Sequence, residues 1–276
     1  MTSHTAQAER PAVAGRRVHS VSVTTITFLV LLLSSIASLI AVDVSYRDLH
    51  LATITDLLRS SEVVAAIRLS AVTSTITLVL VVLFGVPAGY ALSRYRFPGH
   101  SLADTLVDLP IVLPPVVIGV SLLVLFATRA GRWIEDLGVN PHSAVGIVLC
   151  QFFVSVSYAV RAAKSAFDDV DRRLEHLAMT LGCTHGKAFW MVAFPMARNG
   201  VVAGAIMAWA RALGVFGPLM VFVGCVRMKT EVMPTTIYLE LTIGRIEVAL
   251  AVTMIMLAIA TVALVAIRRL TLRREW

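Results

Sequence analysis

Charged residues are scarce in this 276-residue chain, and that scarcity excludes an ordinary water-soluble fold. Only 15% of the residues are Asp, Glu, Lys or Arg, whereas about 25% is usual in globular domains. Hydrophobic residues reach 58%, against roughly 45–50% in such domains. A soluble protein of this length could not bury so much apolar surface, so much of the chain is predicted to contact lipid.

Patterns typical of catalytic or metal sites are also missing. The cysteines Cys150, Cys183 and Cys225 are far apart, which predicts neither a disulfide framework nor a metal site. The histidines lack metal-ligand spacing, and H-E-x-x-H, C-x-x-C and G-x-S-x-G do not occur. The G-C-T-H-G-K stretch from Gly182 to Lys187 is one residue too short for G-x-x-x-x-G-K-S/T and lacks the final hydroxyl residue. We therefore predict no catalytic residue, metal or cofactor on this chain.

Six long apolar runs predict six membrane-spanning helices. A bilayer core of about 30 Å is crossed by roughly 20 apolar residues of helix. The predicted spans, which form an all-α polytopic domain over residues 21–267, are about 21–42, 62–92, 102–127, 143–160, 196–223 and 246–267. The first run is interpreted as a retained anchor, because it is long and no small-x-small cleavage site follows it. Prolines at 110, 114 and 115 are expected to interrupt the third run.

The distribution of Lys and Arg predicts the orientation of the chain. One side of the six-span arrangement carries 14 of these residues and the other side 7. The side with the excess is expected to face the cytoplasm, which places both tails, residues 1–20 and 268–276, in the cytoplasm. The net charge of +7 then needs no nucleic-acid partner.

Residues 161–195 form the one long polar connection on the predicted cytoplasmic side, and their pattern predicts helix, glycine turn, helix. Asp171 is suited to cap the first helix. Glu175 and His176 belong to its polar face, and Gly182 stands where a helix end favours left-handed backbone. Its apolar stripe has i, i+3, i+4, i+7 spacing and consists of Leu174, Leu177, Ala178 and Leu181.

A helix this short is marginal in water and must pack against something. It could lie on its own membrane domain or at the lipid surface, or it could enter a groove on a soluble partner. The residues alone leave both possibilities open. A second short helix is expected from about Thr184, and Pro195 is expected to open the next span.

This loop resembles the cytoplasmic signature of the permeases of binding-protein-dependent ABC importers, E-A-A-x3-G-x9-I-x-L-P. Gly182 matches the glycine, and the V-A-F-P stretch that ends at Pro195 is similar to I-x-L-P. His176 stands at the usual glutamate position, with Glu175 one residue earlier. The resemblance therefore implies the helix but no contact that depends on a glutamate at position 176.

Two further segments resemble the sulfate/molybdate/tungstate branch of that family. One is R-Y-R-F-P-G from Arg94, followed by D-L-P-I-V-L-P-P-V-V-I-G from Asp108. The other is A-R-A-L-G-V-F-G, which ends at Gly217 and has Val215 where the branch usually has an acidic residue. The order and spacing of the three segments make the resemblance much more specific than any one of them.

The resemblance implies a membrane-spanning permease subunit of an ATP-driven importer, in a bacterial or archaeal cytoplasmic membrane. The subunit would form the translocation path for an oxyanion, with molybdate expected first and tungstate or sulfate next. An extracytoplasmic binding protein would deliver the substrate, and a second permease chain, identical or paralogous, would complete the path. ATP and Mg²⁺ would be bound by separate ATPase subunits, so this chain would not itself be an enzyme.

The resemblance also implies two groups of functional residues. The ATPase-coupling group is Asp171, Leu174, Glu175, His176, Leu177, Ala178, Gly182 and Pro195. The group expected at the translocation path or its gate is Arg211, Gly214, Phe216 and Gly217. Arg211 could contact an oxyanion or hold a gate, and it could equally form a structural ion pair or bind a carbonyl. Phe216 could be a gate or an ordinary packing residue.

Three other functions are possible. The chain could be an importer permease for another small solute. It could be a channel or secondary transporter that works without ATP. An intramembrane enzyme would need paired catalytic groups at one depth, and no such pair is found in the sequence.

Overall fold

The computed structural model describes residues 26–38, 41 and 60–272, with side chains described as far as residue 265. All regular elements in these ranges are helices, which confirms the all-α prediction. Helix α1, Ile26–Ser38, is the described part of the predicted first span and belongs to a smaller unit of the chain. The predicted N-terminal tail, residues 1–20, lies outside the described residues.

The larger unit contains the remaining helices. In chain order these are α2 (Ser61–Arg94), α3 (His100–Val112), α4 (Pro115–Ala127), α5 (Arg129–Asp136), α6 (Ala144–Asp168), α7 (Arg172–Thr180), α8 (His185–Ala188), α9 (Phe194–Leu213), α10 (Gly217–Phe222), α11 (Met233–Thr242) and α12 (Ile246–Leu272). A π-helical turn, Phe189–Ala193, joins α8 to α9.

Four helical stretches of the described chain are long and apolar enough to cross a membrane. They are α2, α6, the continuous run His185–Leu213 and the stretch Ile246–Val265 of α12. With 34 residues, α2 is about 51 Å long at 1.5 Å per residue, which exceeds the roughly 30 Å hydrocarbon core. At least one end of α2 therefore extends beyond the hydrocarbon core.

The predicted third span, residues 102–127, is not one straight helix. Helices α3 and α4 meet at an angle of 111°. The break falls at Pro114 and Pro115, which have no backbone N–H to donate to the preceding turn. A residue that precedes a proline is also driven out of the helical region, and Leu113 and Pro114 both have extended ψ angles.

The predicted fifth span and the loop before it also have different bounds. The helix expected at residues 196–223 begins at His185 and ends at Leu213, and α10 is a separate short helix. Helix α6 continues to Asp168, well beyond the predicted end at residue 160. The polar connection between the two membrane helices is therefore shorter than the predicted 161–195. We call its central part, residues 171–184, the α7 loop.

Small residues bring α2, α6 and α9 into close contact. A Cβ atom on Gly89 of α2 would lie 2.7 Å from the Cβ of Ala163 on α6. A Cβ on Gly204 of α9 would lie 2.3 Å from the Cβ of Ala162, which also belongs to α6. Such separations are shorter than real Cβ contacts, so only glycine allows these backbones to approach so closely. The three helices form the tightly packed centre of the unit.

Polar side chains are buried between α2 and α6 and make hydrogen bonds there. The Thr77 hydroxyl donates to Gln151 Oε1 across the two helices at 3.0 Å. Thr73 and Ser155 donate to carbonyls of their own helices, at 2.8 and 2.6 Å. Buried polar groups in a membrane domain need such partners because lipid offers none.

Candidate functional site

The α7 loop is built from local capping interactions at both ends of its helix. The Asp171 carboxylate accepts a hydrogen bond from the Arg173 backbone N–H at 2.9 Å. At the other end, the Cys183 N–H donates to the Ala178 carbonyl at 3.1 Å and the Gly182 N–H to the Met179 carbonyl at 3.0 Å. These two bonds form a Schellman motif. Gly182 has φ of +92°, so the predicted cap and the predicted left-handed glycine are both present.

The apolar stripe of α7 is exposed in this chain. Leu181 is 86% exposed, Leu177 58% and Leu174 37%. His176 is exposed as well, whereas Ala178 is half-buried. Leucines arranged along one exposed face are typical of an interaction surface, because each would gain from removal of its apolar area from solvent.

Glu175 lies on a different face of α7 from the leucines and is buried, although the sequence placed it on the polar face of the helix. Its Oε1 accepts from Arg94 Nε at 2.7 Å, and its Oε2 accepts from the Tyr90 hydroxyl at 2.6 Å. The Glu175 and Arg94 side chains are only 9% and 7% exposed. Tyr90 and Arg94 belong to the last two turns of α2, so Glu175 connects α7 to the end of a membrane helix.

Further hydrogen bonds join the last turn of α2 to the start of the α7 loop. Arg94 Nη2 donates to the Val170 carbonyl at 3.0 Å, and Arg172 donates to the Ser93 carbonyl. The Ser93 hydroxyl donates to Asp168 at 2.6 Å. These contacts were not predicted from the sequence, because the partners of Arg94 are distant from it along the chain and Arg94 was noted only within the R-Y-R-F-P-G segment.

Pro195 shapes the start of the helix to which it belongs. It occupies one of the first two positions of α9. Because proline cannot donate to the preceding turn, the helix widens into the π-helical turn Phe189–Ala193, and the Phe194 N–H bonds to the Phe189 carbonyl. The Phe189 ring in this turn lies 4.7 Å from the Tyr90 ring, centroid to centroid.

The predicted translocation residues lie at the other end of α9. From Pro195 to Arg211 the helix rises about 24 Å at 1.5 Å per residue. The structure therefore separates the two predicted groups and does not form one site from them.

Arg211 is half-buried and has no ion-pair partner among the described residues. Its guanidinium carbon lies 5.8 Å from the centre of the Tyr158 ring, a cation–π contact. Its Nε atom is buried and forms no hydrogen bond within the described part of the chain. The contact observed is therefore an aromatic one, which differs from both the ion pair and the carbonyl contact expected as structural alternatives.

The other three residues of this group lie where α9 gives way to α10. Gly214 ends α9 and is exposed. The Phe216 ring packs 5.2 Å from the Tyr238 ring of α11. A Cβ on Gly217 would lie 2.6 Å from Val116, so this glycine allows α10 to pack closely on α4.

A charged cluster at the start of α2 was not predicted. Arg227 donates to Glu62 and, at 2.7 Å, to Glu240. Glu231 is 3% exposed, and burial raises its pKa above the ordinary value of 4.5. One of its carboxylate oxygens has no hydrogen-bond partner in the described structure. Within the described residues, no group of His, Cys, Asp and Glu side chains could hold a metal ion.

Comparisons with known proteins agree with this architecture. The chain is 43% identical over 159 residues to the molybdate/tungstate transport system permease protein of Thermococcus kodakarensis, a match covering 58% of this chain and 60% of that relative. It is 30% identical over 221 residues to the sulfate transport system permease protein of Escherichia coli, covering 79% and 80% of the two chains.

A solved structure has the same fold. It is that of a bacterial alginate ABC transporter in complex with an alginate pentasaccharide-bound periplasmic protein. The TM-score is 0.72 at 16% identity, with 93% of this chain and 96% of that chain covered. The family model for the binding-protein-dependent transport system inner membrane component matches residues 81–275. This chain is therefore a multi-pass membrane protein that belongs to the family of inner membrane components of binding-protein-dependent transport systems, the ABC transporter permeases.

Proposed function

We propose that this chain is the membrane-spanning permease subunit of an ATP-driven importer for a tetrahedral oxyanion. The α7 loop carries this proposal. Its helix is capped at both ends, is held on one side by α2 and presents exposed leucines on the other. This arrangement suits a short helix that enters a groove on a soluble partner. Membership of the permease family supports an ATPase subunit as that partner.

The orientation proposed from the Lys and Arg distribution puts this loop on the same side as ATP. Both termini are then cytoplasmic, and the cluster around Arg227 faces the outside. ATP and Mg²⁺ are bound by the ATPase, and this chain transmits its movement. Two permease chains, identical or paralogous, enclose the path, and an extracytoplasmic binding protein delivers the substrate. The alginate transporter complex with a periplasmic protein supports a partner of that kind.

Molybdate or tungstate is the proposed substrate, with sulfate next. The permease names of the relatives from Thermococcus kodakarensis and Escherichia coli support this class. On this chain, Arg211 is the residue suited to an oxyanion, because its Nε is buried without a partner in the described structure. A guanidinium can donate two parallel hydrogen bonds to such an anion.

The test uses Leu181→Asp, which places a charge at the most exposed leucine of the α7 loop. Leu137→Asp is its matched control, since Leu137 is 65% exposed and follows α5, on the side proposed to face outward. We expect the ATPase to co-purify in mild detergent with the wild type and Leu137→Asp, and to be lost from Leu181→Asp. Equal recovery from both variants would contradict docking at this face.

Transport is measured in the same preparations after reconstitution into liposomes with the binding protein. We expect uptake of radiolabelled molybdate that needs ATP and is competed by tungstate more strongly than by sulfate. Uptake that continues without ATP would identify a channel or secondary transporter. No uptake of molybdate, from a preparation that retains the ATPase and hydrolyses ATP, would indicate an importer of another solute.

A further inference from the structure

We propose that Tyr90, Arg94 and Glu175 form a rigid connection through which α7 moves α2 during transport. We call these three residues the α2–α7 junction. The inference rests on the proposed function, since the force on α7 would come from the docked ATPase. It assigns Glu175 an internal positioning role and leaves the outer leucines of α7 to contact the ATPase.

The chemistry of the junction favours a permanent connection over an incidental surface contact. Both carboxylate oxygens of Glu175 are used, one by Arg94 at 2.7 Å and one by Tyr90 at 2.6 Å. Both charged side chains are at least nine-tenths buried. Removal of one member would leave an uncompensated buried charge, so the pair resists separation.

The surroundings of the junction restrict rotation as well as separation. Arg94 also donates to the Val170 carbonyl, so a single guanidinium holds both Glu175 and the segment that precedes α7. The Tyr90 ring packs edge-on against Phe167 of α6 at 5.1 Å and against Phe189 at 4.7 Å. Contacts on three sides allow α7 to move only together with the end of α2.

Helix α2 reaches from this junction to the charged cluster at its other end. Glu62, in its first turn, accepts a hydrogen bond from Arg227. Glu62 and Arg94 are 32 residues apart, about 48 Å along the helix at 1.5 Å per residue. A displacement of α7 would therefore reach the proposed outer face through one continuous helix. Rigid, closely packed helices can carry such coupling, and α2 is closely packed on α6 at Gly89.

The test compares Glu175→Gln with Asp169→Asn in the complete reconstituted importer. Both substitutions remove one carboxylate charge near the start of α7, but Asp169 is exposed and lies before the α7 loop. Three quantities are measured: recovery of the ATPase, ATP hydrolysis, and molybdate taken up per ATP. We expect Glu175→Gln to retain the ATPase and to lower uptake per ATP about tenfold, within the usual range of coupling factors. Asp169→Asn should match the wild type.

Two arginine variants separate this role from simple support of the fold. Arg94→Met leaves Glu175 unpaired and should lower uptake per ATP as much as Glu175→Gln. Arg94→Lys keeps the charge and should retain more than half of the wild-type uptake of molybdate per ATP. Its thermal unfolding midpoint should be similar to that of Arg94→Met. Should Glu175→Gln fail to reach the membrane, Tyr90→Phe replaces it. That change removes only the hydroxyl donor, and uptake per ATP should still fall.

The inference is wrong if Glu175→Gln leaves uptake per ATP unchanged. It is also wrong if this variant loses the ATPase as Leu181→Asp does, because Glu175 would then contact the partner. The proposed function fails separately: in that case the wild type itself shows no ATPase recovery or no ATP-dependent uptake.

Discussion

Substitution of Gly89 by valine should destabilise the protein by forcing α2 away from α6. The first atom of any side chain at this position would lie 2.7 Å from the Cβ of Ala163, 2.8 Å from the Val160 carbonyl oxygen and 2.9 Å from the Lys164 nitrogen. Two of these three atoms belong to the backbone of α6. No rotamer change can move them, so relief requires the two helices to separate.

The expected cost follows from two opposing effects. Overpacking of a filled interior costs typically 1–3 kcal/mol, and the rigid backbone contacts put Gly89→Val near the upper end. Valine is a somewhat better helix former than glycine, which returns about 0.3–0.5 kcal/mol. We therefore expect a loss of about 2–3 kcal/mol in the free energy of unfolding.

The assay is reversible unfolding in mixed micelles of a mild detergent and sodium dodecyl sulfate, followed by circular dichroism. Gly186→Val is the control, because a Cβ on Gly186 meets no atom within 4 Å. This control should differ from the wild type by at most about 0.5 kcal/mol, as is usual for surface substitutions. Equal free energies of unfolding for the two variants would refute the close helix contact as the reason for glycine at position 89.

Three further predictions concern other parts of the fold. Thr77→Val removes the donor to Gln151 and should cost about 0.6 kcal/mol and at most about 1.7 kcal/mol, the average and the maximum for hydrogen bonds inside a membrane protein. A cost fully additive with that of Gln151→Leu in the same unfolding assay would contradict the bond. Gly182→Val forces a β-branched residue to φ of +92°, whereas asparagine tolerates that backbone conformation. Gly182→Val should therefore reduce co-purification of the ATPase far more than Gly182→Asn. Equal recovery from the two variants would contradict a role for the left-handed turn. Burial raises the pKa of Glu231, so the folded state binds more protons than the unfolded state, and stability should fall as pH rises above 4.5 through the raised value. Glu231→Gln should flatten this dependence of stability on pH, measured by thermal unfolding at several pH values. An unchanged slope would refute the raised pKa.

The sequence by itself determined the features that depend on composition and near neighbours. Long apolar runs required helices, since lipid leaves backbone groups no other partners. The Asp171 cap and the Gly182 turn were predictable because a cap involves residues within a few positions of each other. The break at Pro114 and Pro115 was predictable for the same reason, although its 111° angle was not. Pro110, which was also expected to interrupt this run, lies inside α3.

Tertiary structure decided which face of α7 turns inward. Sequence periodicity assigned Glu175 to the polar side of an amphipathic helix, but its ion-pair partner Arg94 is 81 positions away. A carboxylate is buried only when another part of the fold supplies compensating donors. The spacing of residues within one helix does not indicate such distant partners. The requirement for glycine at positions 89 and 204 also depends on tertiary structure, because it arises where α2 and α9 lie against α6. Helix positions followed from solvation of the chain, whereas the connection from α7 to α2 followed from three-dimensional packing.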